Sequence, residues 1–135
     1  MKRQLFSLAV FIPVVAVSLT GAASAQGLKG LEELQKGRWE IRIRGGANDS
    51  RSVCLGDPYR HFVRIRHPDQ ACKTVATRID ENEVTVQYTC PGNGFGRTSV
   101  RKETPRLVQI DGQGVADGIP FVFNAEARRV GTCRP

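Results

Sequence analysis

The stretch that most constrains this chain runs from Cys72 to Cys90, CKTVATRIDENEVTVQYTC. Two extended runs, Thr74 to Ile79 and Val84 to Tyr88, flank an acidic turn, Asp80-Glu81-Asn82-Glu83. Val84, Val86 and Tyr88 alternate with Thr85, Gln87 and Thr89, the period-two pattern of a strand with one buried face. A cysteine closes each end. This is a hairpin, and the remaining strands can be counted outward from it.

Ahead of the hairpin, GRWEIRIRG places Trp39, Ile41 and Ile43 on one face and Arg38, Glu40, Arg42 and Arg44 on the other. Gly45 to Ser50 reads as a turn, and Arg51 to Leu55 as a second strand carrying Cys54. Beyond the hairpin, Pro91-Gly92-Asn93-Gly94-Phe95-Gly96 reads as a turn and Arg97 to Lys102 as a strand. Thr104-Pro105 is a break, Leu107 to Asp111 a strand, and Asp111-Gly112-Gln113-Gly114 another turn. Ile119 to Val130 closes the series, with Phe121, Phe123, Ala125 and Ala127 on one face. The sum is a mainly β domain: a single antiparallel meander sheet, curved or half-barrel-like, of about seven strands with one or two short helices.

The first residues have the composition of a targeting segment. Lys2 and Arg3 precede an apolar run from Leu5 to Leu19, and Ala23-Ser24-Ala25 offers small residues to a signal peptidase. The run is too short to span a bilayer, which needs about 20 residues. The expectation is a signal peptide over 1–25, cleaved after Ala25, and a single domain over 26–135 that reaches the periplasm or is secreted. Removing 25 of the 135 residues leaves 110. A domain of that size buries roughly 65% of its unfolded surface, so staples would help it. Cys54, Cys72, Cys90 and Cys133 all lie in the mature part, where an oxidising compartment favours disulfides. No two of them show the close spacing of a zinc site.

The net charge is +7, falling to +5 without Lys2 and Arg3. Its densest concentration lies between Cys54 and Cys72, where Asp57 suits a helix N-cap and Pro58 the first helical position. Tyr59, Phe62 and Val63 form an apolar stripe, and Pro68 ends the element. Arg60, Arg64 and Arg66, with Lys73 just beyond, make a candidate anion-binding patch facing an anionic envelope component; the alternative is a solvated basic surface. A shorter helix at Gly27 to Gly37 is marked by Leu28, Leu31 and Leu34, with Gly37 as its cap.

With those residues in place, the chain resembles a family of small exported bacterial proteins catalogued as domain of unknown function 3617. The likeness rests on Gly37-Arg38-Trp39-Glu40, Cys54-Leu55, the hairpin bracketed by Cys72 and Cys90, Pro91-Gly92, and the terminal Arg129-Val130-Gly131-Thr132-Cys133. It implies a periplasmic, disulfide-bonded, mainly antiparallel β domain, and it carries no activity.

Two disulfide pairings compete. In a meander, Cys72 and Cys90 lie at the same end of the sheet, which favours Cys72–Cys90 with Cys54–Cys133. A two-residue turn at Glu81-Asn82, however, sets Val75, Thr77 and Ile79 opposite Tyr88, Val86 and Val84 and puts Cys72 on the face away from Cys90. A three-residue turn or a bulge would bring them together. Otherwise Cys54–Cys72 and Cys90–Cys133 form.

Catalytic chemistry finds little support. His61 and His67 are six apart on an element that Pro68 interrupts, so they do not share a helix face as metal ligands would. Asp57 has the right spacing to His61 but is explained as the cap. Asp80, Glu81 and Glu83 crowd a hairpin turn, and the glycines after Cys90 join strand to strand with no helix to hold a phosphate. No catalytic residue, metal, cofactor or nucleic-acid partner is expected. The reading is a non-catalytic binding module for an apolar or anionic envelope ligand. The alternatives are an envelope interaction protein using the arginine-rich loop or an edge strand and, behind it, a small hydrolase.

Overall fold

The computed structural model describes residues 29–45, 49–56, 58–92 and 94–134. The proposed signal peptide, the Asp57 cap and Leu28 lie outside these. Seven antiparallel strands form one open sheet: β1 (Gly37–Ile43), β2 (Ser50–Leu55), β3 (Lys73–Ile79), β4 (Glu83–Cys90), β5 (Gly94–Thr104), β6 (Leu107–Ala116) and β7 (Ile119–Gly131). Their spatial order is β2-β1-β7-β6-β5-β4-β3. Thus β3 to β7 form the expected meander, and the β1–β2 hairpin is added along the free edge of β7.

That order dictates what covers the core. The chain must pass from β2 at one edge to β3 at the other, about 29 Å across six interstrand spacings. The connection from Leu55 to Lys73 makes this journey over one sheet face and seals it. Register places Trp39, Ile41, Ala127, Ala125, Phe123, Val108, Ile110, Val100, Val84, Val86 and Tyr88 on that face, all buried. Phe62, Val63 and Ile65 of the connection pack down on it. Thr98 Oγ1 donates a 2.7 Å hydrogen bond to the Val63 carbonyl, fastening the connection to the sheet. At the sheet's other end α1 (Lys29–Glu32) leads into the buried Leu31 and Leu34, and Lys102 bonds Glu33.

Trp39 anchors this core. Its ring meets Phe62 edge to face at 5.4 Å, and its Nε1 donates to the Gln35 carbonyl at 2.9 Å. Phe121 and Phe123 share its sheet face but lie eight and six residues along β7 from Arg129, the residue paired with Trp39, so they do not pack on its ring.

Two expected turns are strand. β5 begins at Gly94, and β6 runs through Gly112 and Gly114 to Ala116. The reason is ring packing. Gly94, Gly96, Gly112 and Gly114 all point at the core face, where a Cβ at Gly96 would fall within the Tyr88 phenol and one at Gly112 within the Phe123 ring. His67 lies against Gly94, while a Cβ at Gly114 would meet the Phe95 carbonyl and Gly96 backbone of the adjacent strand first and the Phe121 ring next. The true β6–β7 turn is Asp117-Gly118, both at positive φ (51° and 76°), the two-residue geometry that Asp-Gly favours.

Both disulfides follow the preferred pairing, Cys54–Cys133 and Cys72–Cys90. The obstacle posed by regular alternation is removed by a bulge. Lys73 to Ala76 pair with Thr89 to Val86, then the register shifts past Thr77 so that Arg78 and Ile79 pair with Thr85 and Val84. One extra residue in β3 turns Cys72 back toward Cys90, at a Cα separation of 4.1 Å.

Candidate functional site

The arginine-rich connection forms one π-helical turn, Tyr59–Val63, so the expected helix reaching Pro68 is shorter than anticipated. Phe62 and Val63 face the sheet as predicted, while Tyr59's side chain lies outside the described ones. Two of the four patch cations hold the connection itself. Arg60 donates to Pro68 O at 3.1 Å and pairs with Asp69 at 2.6 Å, and the half-buried Arg64 donates to Gln70 O. Arg60 and Arg64 are therefore not equivalent cations on one solvent-facing helix side. Arg66 remains exposed with its guanidinium 5.8 Å from the centre of the Phe121 ring, a cation–π arrangement, and Lys73 is exposed at the start of β3.

Histidine 67 is buried. Its Nδ1 lies 3.1 Å from the Tyr88 hydroxyl, and its ring packs edge-on to Tyr88. It serves as a wedge between the connection and the glycine stretch of β5. Among the described residues, no group of three or more His, Cys, Asp or Glu side chains is arranged to hold a metal ion, and none of the cysteines is free.

The opposite face of the sheet carries a groove that the glycine-as-turn reading concealed. A cavity of about 580 Å³ is lined by Gln87, Thr89, Phe95, Arg97, Gln113, Pro120 and Val122, with Gly96 and Gly114 supplying backbone floor. Once Gly94 to Gly96 is read as strand, alternation puts Phe95 and Arg97 outward on β5, Gln113 outward on β6 and Val122 outward on β7. Phe95 is 51% exposed and Val122 77%, so a large apolar surface faces solvent. A second hollow of about 290 Å³ adjoins it, sharing Arg97, Gln113 and Val122 and adding Ser99, Asp111 and Asn124.

Compared with known proteins, the chain matches no family model, and neither a curated protein nor a solved structure shows significant similarity to it. Function must therefore be argued from these surfaces alone.

Electrostatics separate Arg97 from its neighbours. On the same face Arg42 pairs with Glu40, Arg44 and Arg128 with Glu126, Arg101 with Glu103 and Arg78 with Asp80. Hydrogen bonds from Gln109 and then Arg128 hold the Glu126 carboxyl below its ordinary range. Among the described residues Arg97 has no carboxylate partner. Its cross-strand neighbours are the neutral Gln87 and Gln113, and the nearby Asp111 is engaged by Asn124.

Two disulfides are the mark of a chain that matures in an oxidising, extracytoplasmic compartment. Among the described residues no helix is long and apolar enough to cross a membrane.

Proposed function

We propose that this protein is a non-catalytic binding module of the bacterial periplasm, exported by a signal peptide cleaved after Ala25, and that it takes an envelope ligand in the groove behind its glycine strands. The observation that carries this is the exposed Phe95 and Val122 flanking a 580 Å³ hollow with a polar rim. A soluble surface ordinarily keeps large apolar side chains scattered, and ligand sites combine an apolar lining with a few placed polar groups. The resemblance to domain of unknown function 3617 agrees with export and adds no activity.

A second reading is favoured by the sheet edge. Every residue of β3 is exposed, Val75 and Ile79 among them, so its free backbone edge could accept a strand from an envelope partner. Arg66 and Lys73 would bring positive charge to that encounter.

Native mass spectrometry of protein recovered from its own envelope separates the two. A co-purifying small molecule that is lost in Val122→Glu supports the groove. Retention of that molecule in Val122→Glu, or recovery only of a protein complex that β3 substitutions dissolve, would overturn it.

A further inference from the structure

Resting on that reading of the groove, we infer that its ligand is an alkyl carboxylate, with the carboxylate at Arg97 and the chain laid over Phe95, Pro120 and Val122. Charge and shape on the two sides of Arg97 differ. On one side lies the apolar surface of β5, β6 and β7; on the other lie Ser99, Asp111 and Asn124. An occupant matched to both must carry its polar end at the arginine and its apolar body away from Asp111.

The balance of charge selects the head group. A guanidinium without a protein carboxylate presents a planar pair of N–H donors suited to a carboxylate, and the Gln87 and Gln113 amides flank it with further neutral donors. One cation neutralises one negative charge. A phosphate monoester, carrying about −1.5 to −2, would leave excess charge beside Asp111. A neutral alcohol would leave the guanidinium without a counter-charge.

The size of the apolar lining limits the tail. Phe95 on β5 and Val122 on β7 are two interstrand spacings apart and offset by two residues along the strands, about 12 Å in all. That accommodates a medium-length alkyl chain lying flat across the strands, over backbone that Gly96 and Gly114 leave without side chains on either face.

The test is isothermal titration of the oxidised mature protein with decanoate, decanol, decyl phosphate and acetate, each below its aggregation concentration. Decanoate should bind at least about tenfold more tightly than decanol or decyl phosphate, and acetate should not bind measurably. Arg97→Gln should weaken decanoate about tenfold and leave decanol unchanged, with Arg97→Lys intermediate; Val122→Ser should weaken both decyl ligands. Equal binding of decanoate and decanol, unaffected by Arg97→Gln but weakened by Val122→Ser, would overturn the carboxylate while keeping the groove. Binding of decyl phosphate as tightly as decanoate would do the same. No binding of any decyl ligand, or binding indifferent to both positions, would overturn the groove as well. Near-ultraviolet circular dichroism of the buried Trp39 verifies that each variant retains the native core.

Discussion

The two halves of the buried sheet face are filled in opposite ways. Around β1 and the middle of β7, side chains fill it. Trp39 and Ile41 stand beside Ala125 and Ala127, whose small size leaves room for Phe62 to descend from above. Along Gly94–Gly96 of β5 and Gly112–Gly114 of β6 the strands turn no side chain to this face, and rings from neighbouring elements lie across bare backbone. Glycine weakens a strand taken alone. Here the loss is offset by aromatic cover: Tyr88 over Gly96, Phe123 over Gly112, Phe121 over Gly114. The same arrangement has an effect on the far side, where thin backbone between outward Phe95, Gln113 and Val122 becomes the floor of a groove.

The contrast can be broken most severely on the side-chain half. Trp39→Ala should lower the unfolding free energy by about 3–5 kcal/mol in urea titration, since a ring buried against Phe62 leaves a large cavity. A loss below about 1 kcal/mol would show that this half does not depend on it. On the glycine half, Cys72→Ser/Cys90→Ser should cost about 3 kcal/mol, from an 18-residue separation in the chain-entropy account. An unchanged urea midpoint would mean that ring cover alone secures this end.

A finer test addresses the rings directly. Gly112→Ala should cost about 1–3 kcal/mol by overpacking against Phe123. In a Phe123→Leu background the cost should fall by half or more, because the smaller side chain can yield to the new methyl. Additive costs would mean that backbone conformation, not ring packing, selects glycine there.

The smallest effect lies behind the side-chain half, at Glu126. Its folded carboxyl titrates below the ordinary value of 4.5, so its stabilisation is present above that value and lost as pH falls through the lower folded one. Glu126→Gln should therefore flatten that part of the acid stability curve, by no more than about 0.5 kcal/mol because the pairs are exposed. Parallel curves for the two proteins would assign the acid limb to other carboxylates.

Much of this fold is legible in the sequence, because alternation in β1, β4 and β7 reports a face that one layer of chain buries. The disulfide alternatives narrow to a bulge, which no local pattern in KTVATRI reveals. The groove is not legible by the rule that glycine clusters punctuate strands. Gly94-Phe95-Gly96 and Gly112-Gln113-Gly114 obey it in composition and break it in structure, since the rings that justify them come from distant positions. A usable signal was present: Asp117-Gly118 already supplies the β6–β7 turn, leaving the earlier glycines free to be strand. The arginine-rich connection departs from its sequence pattern for a related reason. Periodicity assigns Arg60 and Arg64 to solvent, whereas carbonyls at Pro68 and Gln70, brought near only by the folded path, engage them.

The extra residue at Thr77 also bears on how this protein is oxidised. In a regular hairpin with the same turn, Cys72 would face away from Cys90, and a nascent chain would have two other thiols open to mispairing. The correct cross-link can close only after β3 has slipped by one place against β4. Formation of Cys72–Cys90 thus reports that the register is native. A deletion of one residue between Cys72 and Thr77 would set Cys72 opposite Cys90 in a regular hairpin with no slip needed, so the cross-link would close readily and no longer report the register.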